Sequence, residues 1–139
     1  VLDCRGTGVA DLSPLKGMKL ACLNCSVTSV SDLSPLAGMP LDVLICSETM
    51  VSDLSPLKDA KLKYLACIGT QVSDLSPLAG MPLTVLWCND AKVSDLSPLK
   101  GMPLKELHCD FVPERDSKIL RSIPTLESIN DQPPKQLLK

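Results

Sequence analysis

The apolar positions of this chain recur with a period far longer than a helical turn or a strand alternation. The string Asp-Leu-Ser-Pro-Leu starts at Asp11, Asp32, Asp53, Asp74 and Asp95, always 21 residues apart. A second string, Leu-x-x-Leu-x-Cys-x-x-Thr, keeps the same period and is typified by Leu41, Leu44, Cys46 and Thr49. A fixed period of this length marks a stacked repeat architecture, in which each unit buries its apolar side only against its neighbours. Five full 21-residue units occupy 9–29, 30–50, 51–71, 72–92 and 93–113, after a partial unit over 1–8. The array therefore covers 1–113, and 114–139 read as a C-terminal cap and tail.

Each unit predicts two elements. Around Leu44 and Cys46, apolar and variable positions alternate, which reads as a short strand. Asp-Leu-Ser-Pro-Leu cannot extend that strand, because Pro35 lacks a backbone donor and biases Ser34 away from helical geometry. Proline at the first position of a helical turn, capped by Ser34 or Asp32, predicts a short 3₁₀ or α turn. Gly38 then ends the turn and sends the chain back. Stacking in register lays like strands side by side and parallel, ~4.8 Å per unit. The prediction is a curved, right-handed α/β solenoid with its parallel sheet on the concave side and short 3₁₀ or helical turns on the convex side. After Cys109 the pattern breaks. A helix is expected to begin over Ser117 to Leu120 and end near Ser122, before Leu126-x-x-Ile129 restores one strand. The N-terminal edge carries no cap, a pairing liability expected to arise from where the chain is cut.

The unit resembles the leucine-rich repeat, L-x-x-L-x-L-x-x-N/C-x-L, with Leu41, Leu44, Cys46, Thr49 and Val51 at the pattern's positions. Its tail, V-S-D-L-S-P-L, is similar to the short bacterial class found in internalins. Cys replaces the third Leu, Thr replaces Asn, and the unit is one residue shorter than the usual internalin unit, between Met39 and Leu41. The all-Cys strands and the ending L-R-S-I-x-T-L-E-S-I-N look similar to repeat arrays in planctomycete proteins, some fused to serine/threonine kinases. The repeat resemblance extends from residue 1 to about 113 and implies the curved repeat solenoid. Val1 is not an initiator Met and the chain starts in mid-motif, so a fragment of a larger bacterial protein is expected.

Composition narrows the function. Apolar residues make up 45% and aromatic residues 2%, one each of Phe, Trp and Tyr, so the core must be Leu, Val, Met and Cys. A formal charge of −2, from 14 Lys+Arg and 16 Asp+Glu, leaves no footprint for nucleic acid. No apolar run is long enough to span a bilayer, so no membrane partner is expected. A single His leaves catalysis short of material, and no enzyme is expected.

The other ladders have structural explanations. Six of seven cysteines (Cys4, Cys25, Cys46, Cys67, Cys88, Cys109) lie on the repeat, and Cys22 falls at an outward strand position. A line of sulfurs is no tetrahedron, so neither a metal nor another cofactor is expected. In-register neighbours also hold their Cβ atoms farther apart than the ~3.8 Å a disulfide prefers. Free thiols in such number fit a reducing, cytoplasmic compartment. Each Asp of the ladder precedes Ser and Pro, which is turn-capping chemistry rather than a calcium stripe. Thr7, Thr28, Thr49 and Thr70 are expected to bond backbone groups; the ladder fails at Ala91 and Val112, where the turn should be altered.

Variation carries the functional information. The outward strand positions differ in every unit while the inward ones barely change. Among them the expected binding face is Val43, Ile45, Tyr64, Ala66, Ile68, Val85, Trp87, Asn89, Glu106, His108 and Asp110. Tyr64 and Trp87 fall on adjacent strands among Val43, Ile45, Ile68 and Val85. Trp and Tyr lead the residue types that anchor interfaces. The expectation is a non-catalytic interaction module that binds a protein or peptide on this face. One alternative is a structural array that self-associates through its N-terminal edge. Another is a hydrolase-like site at Glu106, His108 and Asp110, for which no matching nucleophile faces the His.

Overall fold

The computed structural model describes residues 1–139. Seven short strands form one parallel sheet whose order follows the chain: β1 Leu2–Asp3, β2 Cys22–Asn24, β3 Val43–Ile45, β4 Tyr64–Ala66, β5 Val85–Trp87, β6 Glu106–His108 and β7 Ser128–Ile129. Leu23, Leu44, Leu65, Leu86 and Leu107 stand opposite one another in successive strands, one 21-residue step apart. The last step, Leu107 to Ile129, is one residue longer, because the cap lies within it. The curved parallel sheet with regular convex turns is the solenoid expected.

The convex side repeats one local device. Five 3₁₀ turns lie at Ser13–Leu15, Ser34–Leu36, Ser55–Leu57, Ser76–Leu78 and Ser97–Leu99. In every one the Asp two residues before Ser accepts the Ser backbone N–H at 2.8 Å. That bond pins the intervening Leu near φ −94°, ψ 0°, from which Pro enters the turn with its φ already set. The exit differs once. Lys16, Ala37, Ala79 and Lys100 have ψ between 127° and 130° and precede glycines with φ between +75° and +81°, a type II turn. The third unit carries Asp59 instead of Gly. There Lys58 swings to ψ −31°, giving the type I form that needs no left-handed residue.

Where the strands end, a second turn closes on the threonine ladder. Thr7, Thr28, Thr49 and Thr70 donate their hydroxyls to the carbonyls of Cys4, Cys25, Cys46 and Cys67 at 2.6–2.7 Å. The residue before each Thr is left-handed, and the series runs Gly6, Val27, Glu48, Gly69 and Asp90 at φ +54° to +67°. Asp90 keeps this conformation although Ala91 offers no hydroxyl. What changes is its cross-coil bond: Glu48 and Gly69 donate their N–H to carbonyls of the next coil, whereas Asp90 donates to the Asp110 carboxylate.

The core fills the space between strands and turns as one cluster of 33 buried residues, almost all Leu, Val, Met and Cys. Cys25, Cys46, Cys67, Cys88 and Cys109 are buried free thiols, while Cys22 and Cys4 are only partly covered. Burial pushes the thiols of Cys25, Cys67 and Cys109 up to about 12, so they act as small hydrophobes.

The cap helix α1 spans Pro113–Arg121 and so starts four residues earlier than the sequence pattern indicates. Pro113 begins it with a preset φ, and the Asp116 carboxylate reaches back to accept the Val112 N–H at 2.8 Å. Asp116 is 1% exposed and is held by Arg115 through Nε at 2.6 Å and Nη2 at 2.8 Å. Asn130, just past β7, closes the sheet. Its carboxamide accepts the Cys109 N–H and donates to the Cys109 carbonyl, both at 2.9 Å. A short helix α2, Pro134–Leu137, follows.

Candidate functional site

Strand pleating turns the ladder leucines inward and their flanking residues outward onto the concave face. Val43, Ile45, Tyr64, Val85, Trp87, Glu106 and His108 are half-buried there, as are Ile68 and Asn89 just beyond their strands, and Asp110 is exposed. Ala66 shares the face but is 1% exposed. Its register partners are Ile45 and Trp87, two larger side chains that flank its methyl, so Ala66 acts as floor rather than contact surface.

Three rings cross β4, β5 and β6, diagonally from Tyr64 to Trp87 and then straight across to His108. Tyr64 and Trp87 meet edge to face, with centroids 5.6 Å apart and planes at 61°, the arrangement aromatic quadrupoles prefer over a flat sandwich. Trp87 and His108 follow at 5.1 Å and 46°. The indole N–H of Trp87 donates to Glu106 Oε1 at 2.8 Å, which ties the ring to the neighbouring coil. Burial, and then the Glu106 charge, push the Tyr64 phenol above its usual value.

The acid–His–acid line takes a different second acid from the one the spacing indicates. His108 Nε2 lies 3.5 Å from Glu106 Oε1 and 3.5 Å from Asp131 Oδ1. Neither contact is a hydrogen bond, and Nε2 is buried without a partner. Asp110, past the end of β6, instead accepts the Asp90 N–H at 3.0 and 3.2 Å. Asp131 arrives from the cap, left-handed at φ +63° directly after the left-handed Asn130. Its only sequence signal is the pair Asn130-Asp131 after a strand, two residues that tolerate that conformation. The nearest ladder thiols, Cys88 and Cys109, point into the core with raised pKa values and cannot supply a thiolate nucleophile at neutral pH.

No protein-family model and no curated protein sequence matches the chain. Solved structures do. An internalin (inlF) from Listeria monocytogenes str. 4b F2365 superposes with a TM-score of 0.78 and 28% identity over 89% of this chain. Internalin C2 (inlC2) from the same strain gives a TM-score of 0.69 and 28% identity over 88% of it. The chain spans 38% of the first protein's length and 66% of the second's. The likeness settles the fold: a curved leucine-rich repeat solenoid of the internalin type.

Proposed function

We propose that this leucine-rich repeat array is a non-catalytic interaction module that binds a protein or peptide on its concave face. Internalin-like repeat folds commonly mediate protein–protein interaction. The observation that carries the reading is the ring row Tyr64–Trp87–His108. It gathers two of the chain's three aromatic residues onto the one face that does not repeat. An apolar, ring-bearing surface of this kind is what interfaces bury at their centre. The seven free thiols support a reducing setting, and we place the protein in the cytoplasm.

The test begins with a partner recovered by pull-down. Tyr64→Ala and Trp87→Ala should each weaken binding by about 2 kcal/mol, the scale of an interface anchor. Alanine at Lys16, Lys58 and Lys100 on the convex turns should leave affinity unchanged. Loss of binding in the lysine variants, with Trp87→Ala unaffected, would reject the concave site.

A further inference from the structure

The two margins of the concave sheet differ in charge. Where the strands begin, acids and bases are matched: Asp42 lies 3.6 Å from Lys63, and Glu127 lies 3.2 Å from Lys105. Along β3 to β6 and their exit turns the balance is lost. Residues 43–48, 64–69, 85–90 and 106–110 contain no Lys or Arg, yet they carry Glu48, Asp90, Glu106 and Asp110. Asp131 joins them from the cap, 3.5 Å from His108. Five carboxylates here, in a chain of net charge −2, leave the remainder net positive. The acidity belongs to this face and not to the protein at large. The nearby cation Arg115 is already engaged by Asp116 and by the Asp110 carbonyl.

The carboxylates also sit against the rings. Glu106 accepts the Trp87 indole N–H, its charge reaches the Tyr64 phenol, and the carboxylate of Glu48 lies over Gly69, where a Cβ would meet it at 2.6 Å. An aromatic surface bordered by uncompensated negative charge attracts a cation twice: through the ring quadrupole, strongest for Trp, and through the carboxylates. An acidic or neutral strand laid here would gain the apolar contact and leave the charges facing nothing.

We propose that the concave face takes a basic peptide segment, with a lysine or arginine side chain lying against Tyr64 and Trp87 and its charge held by Glu106 and Asp131. This rests on the concave-face reading above and adds the chemistry of the partner. Such charge complementarity governs which partners are accepted and makes the association sensitive to salt.

Trp87 is the only tryptophan, so its fluorescence reports the site directly. The intact chain is titrated with a short alternating Gly-Arg peptide and with a Gly-Glu peptide of equal length. The Gly-Arg peptide should change Trp87 emission saturably, more weakly as NaCl is raised, and the Gly-Glu peptide should not. The double variant Glu106→Gln with Asp131→Asn keeps an acceptor for the indole and should lower the affinity about tenfold or more. Asp32→Asn with Asp53→Asn on the convex turns should leave it unchanged, and circular dichroism should show both variants folded. Equal response to both peptides, no saturable response to Gly-Arg, or full affinity in the Glu106/Asp131 variant overturns the proposal. A protein partner that depends on Tyr64 and Trp87 but keeps its affinity in that variant overturns the charge assignment alone and leaves the concave-face reading standing.

Discussion

The convex turns and the concave strands are cut from the same coils, yet they handle polar groups in opposite ways. On the convex side each turn satisfies itself. Asp11, Asp32, Asp53, Asp74 and Asp95 bond the Ser two residues on, within their own coil, and these caps need no side chain from a neighbouring turn. On the concave side the partners come from other coils. Trp87 touches Tyr64 of the coil before and Glu106 and His108 of the coil after, and Asp131 adds a group from the cap. Repetition therefore yields copies of one device on one side and, on the other, a single site assembled from different residues. A change on the convex side should stay local, and a change on the concave side should be felt two coils away.

The largest effect expected lies between the two sides. Leu65 of β4 is fully buried in the inward ladder, and Leu65→Ala should cost about 3 kcal/mol in denaturant unfolding, from lost burial and the cavity left behind. A cost below about 1 kcal/mol would mean that coils collapse around gaps and are not packed as one core. Next comes the concave coupling. A double-mutant cycle on Tyr64→Ala and Trp87→Ala should give an interaction energy of about 1 kcal/mol, as edge-to-face pairs do. The same cycle on Asp53→Ala and Asp74→Ala should be additive, and equal coupling in both cycles would erase the distinction between the sides.

Smaller effects sharpen the comparison at the exit turns. Val27 is a β-branched residue held at φ +55° and 61% exposed, where Gly6 and Gly69 stand in other coils. Val27→Gly relieves left-handed strain of ~1–2 kcal/mol and loses part of it to the greater freedom of the unfolded chain. The melting temperature should rise, by an amount equivalent to about 0.5–1 kcal/mol. The convex carboxylates supply the smallest effect. Ser N–H and hydroxyl bonds hold the carboxyls of Asp11, Asp53, Asp74 and Asp95 below the usual range. A depressed carboxyl pKa stabilises the fold fully above the unfolded value of about 3.9, and this is lost as pH falls through the folded value. Melting temperature should be level from neutrality to about pH 5 and fall below about pH 4. Asp53→Asn with Asp74→Asn should flatten that fall, and an unaltered profile would remove the caps from the stability of the turns.

What could be read from the sequence follows the same division. Strand register, the 3₁₀ turns and the cysteine and threonine ladders were legible because each is stated several times at one spacing, so misreading one coil is corrected by the next. The cap is stated once. Its helix start at Pro113 was hidden because that residue occupies the place of a repeat link, and only the Asp116 carboxylate reaching back to Val112 makes it a helix beginning. The site fell between these cases. Tyr64 and Trp87 could be placed on one face from alternation alone. The covering of Ala66 depends on the bulk of Ile45 and Trp87 beside it, and the exchange of Asp110 for Asp131 depends on the path of a loop that no other unit repeats.

The carboxamide of Asn130 gives the Cys109 N–H the acceptor that the next coil's backbone carbonyl gives Cys25, Cys46 and Cys67, and gives the Cys109 carbonyl the donor that each of those coils takes from its own Thr hydroxyl. Each coil thus offers its successor the same backbone edge, and at the cap one side chain satisfies the end of that edge. Length is consequently editable without rebuilding either end. A further unit spliced between 92 and 93 would extend the array by one rise, ~4.8 Å, and still terminate correctly. It would also insert a strand between Trp87 and its neighbours Glu106 and His108. The scaffold is indifferent to how many coils it has, whereas the site exists only at one count, with these coils adjacent.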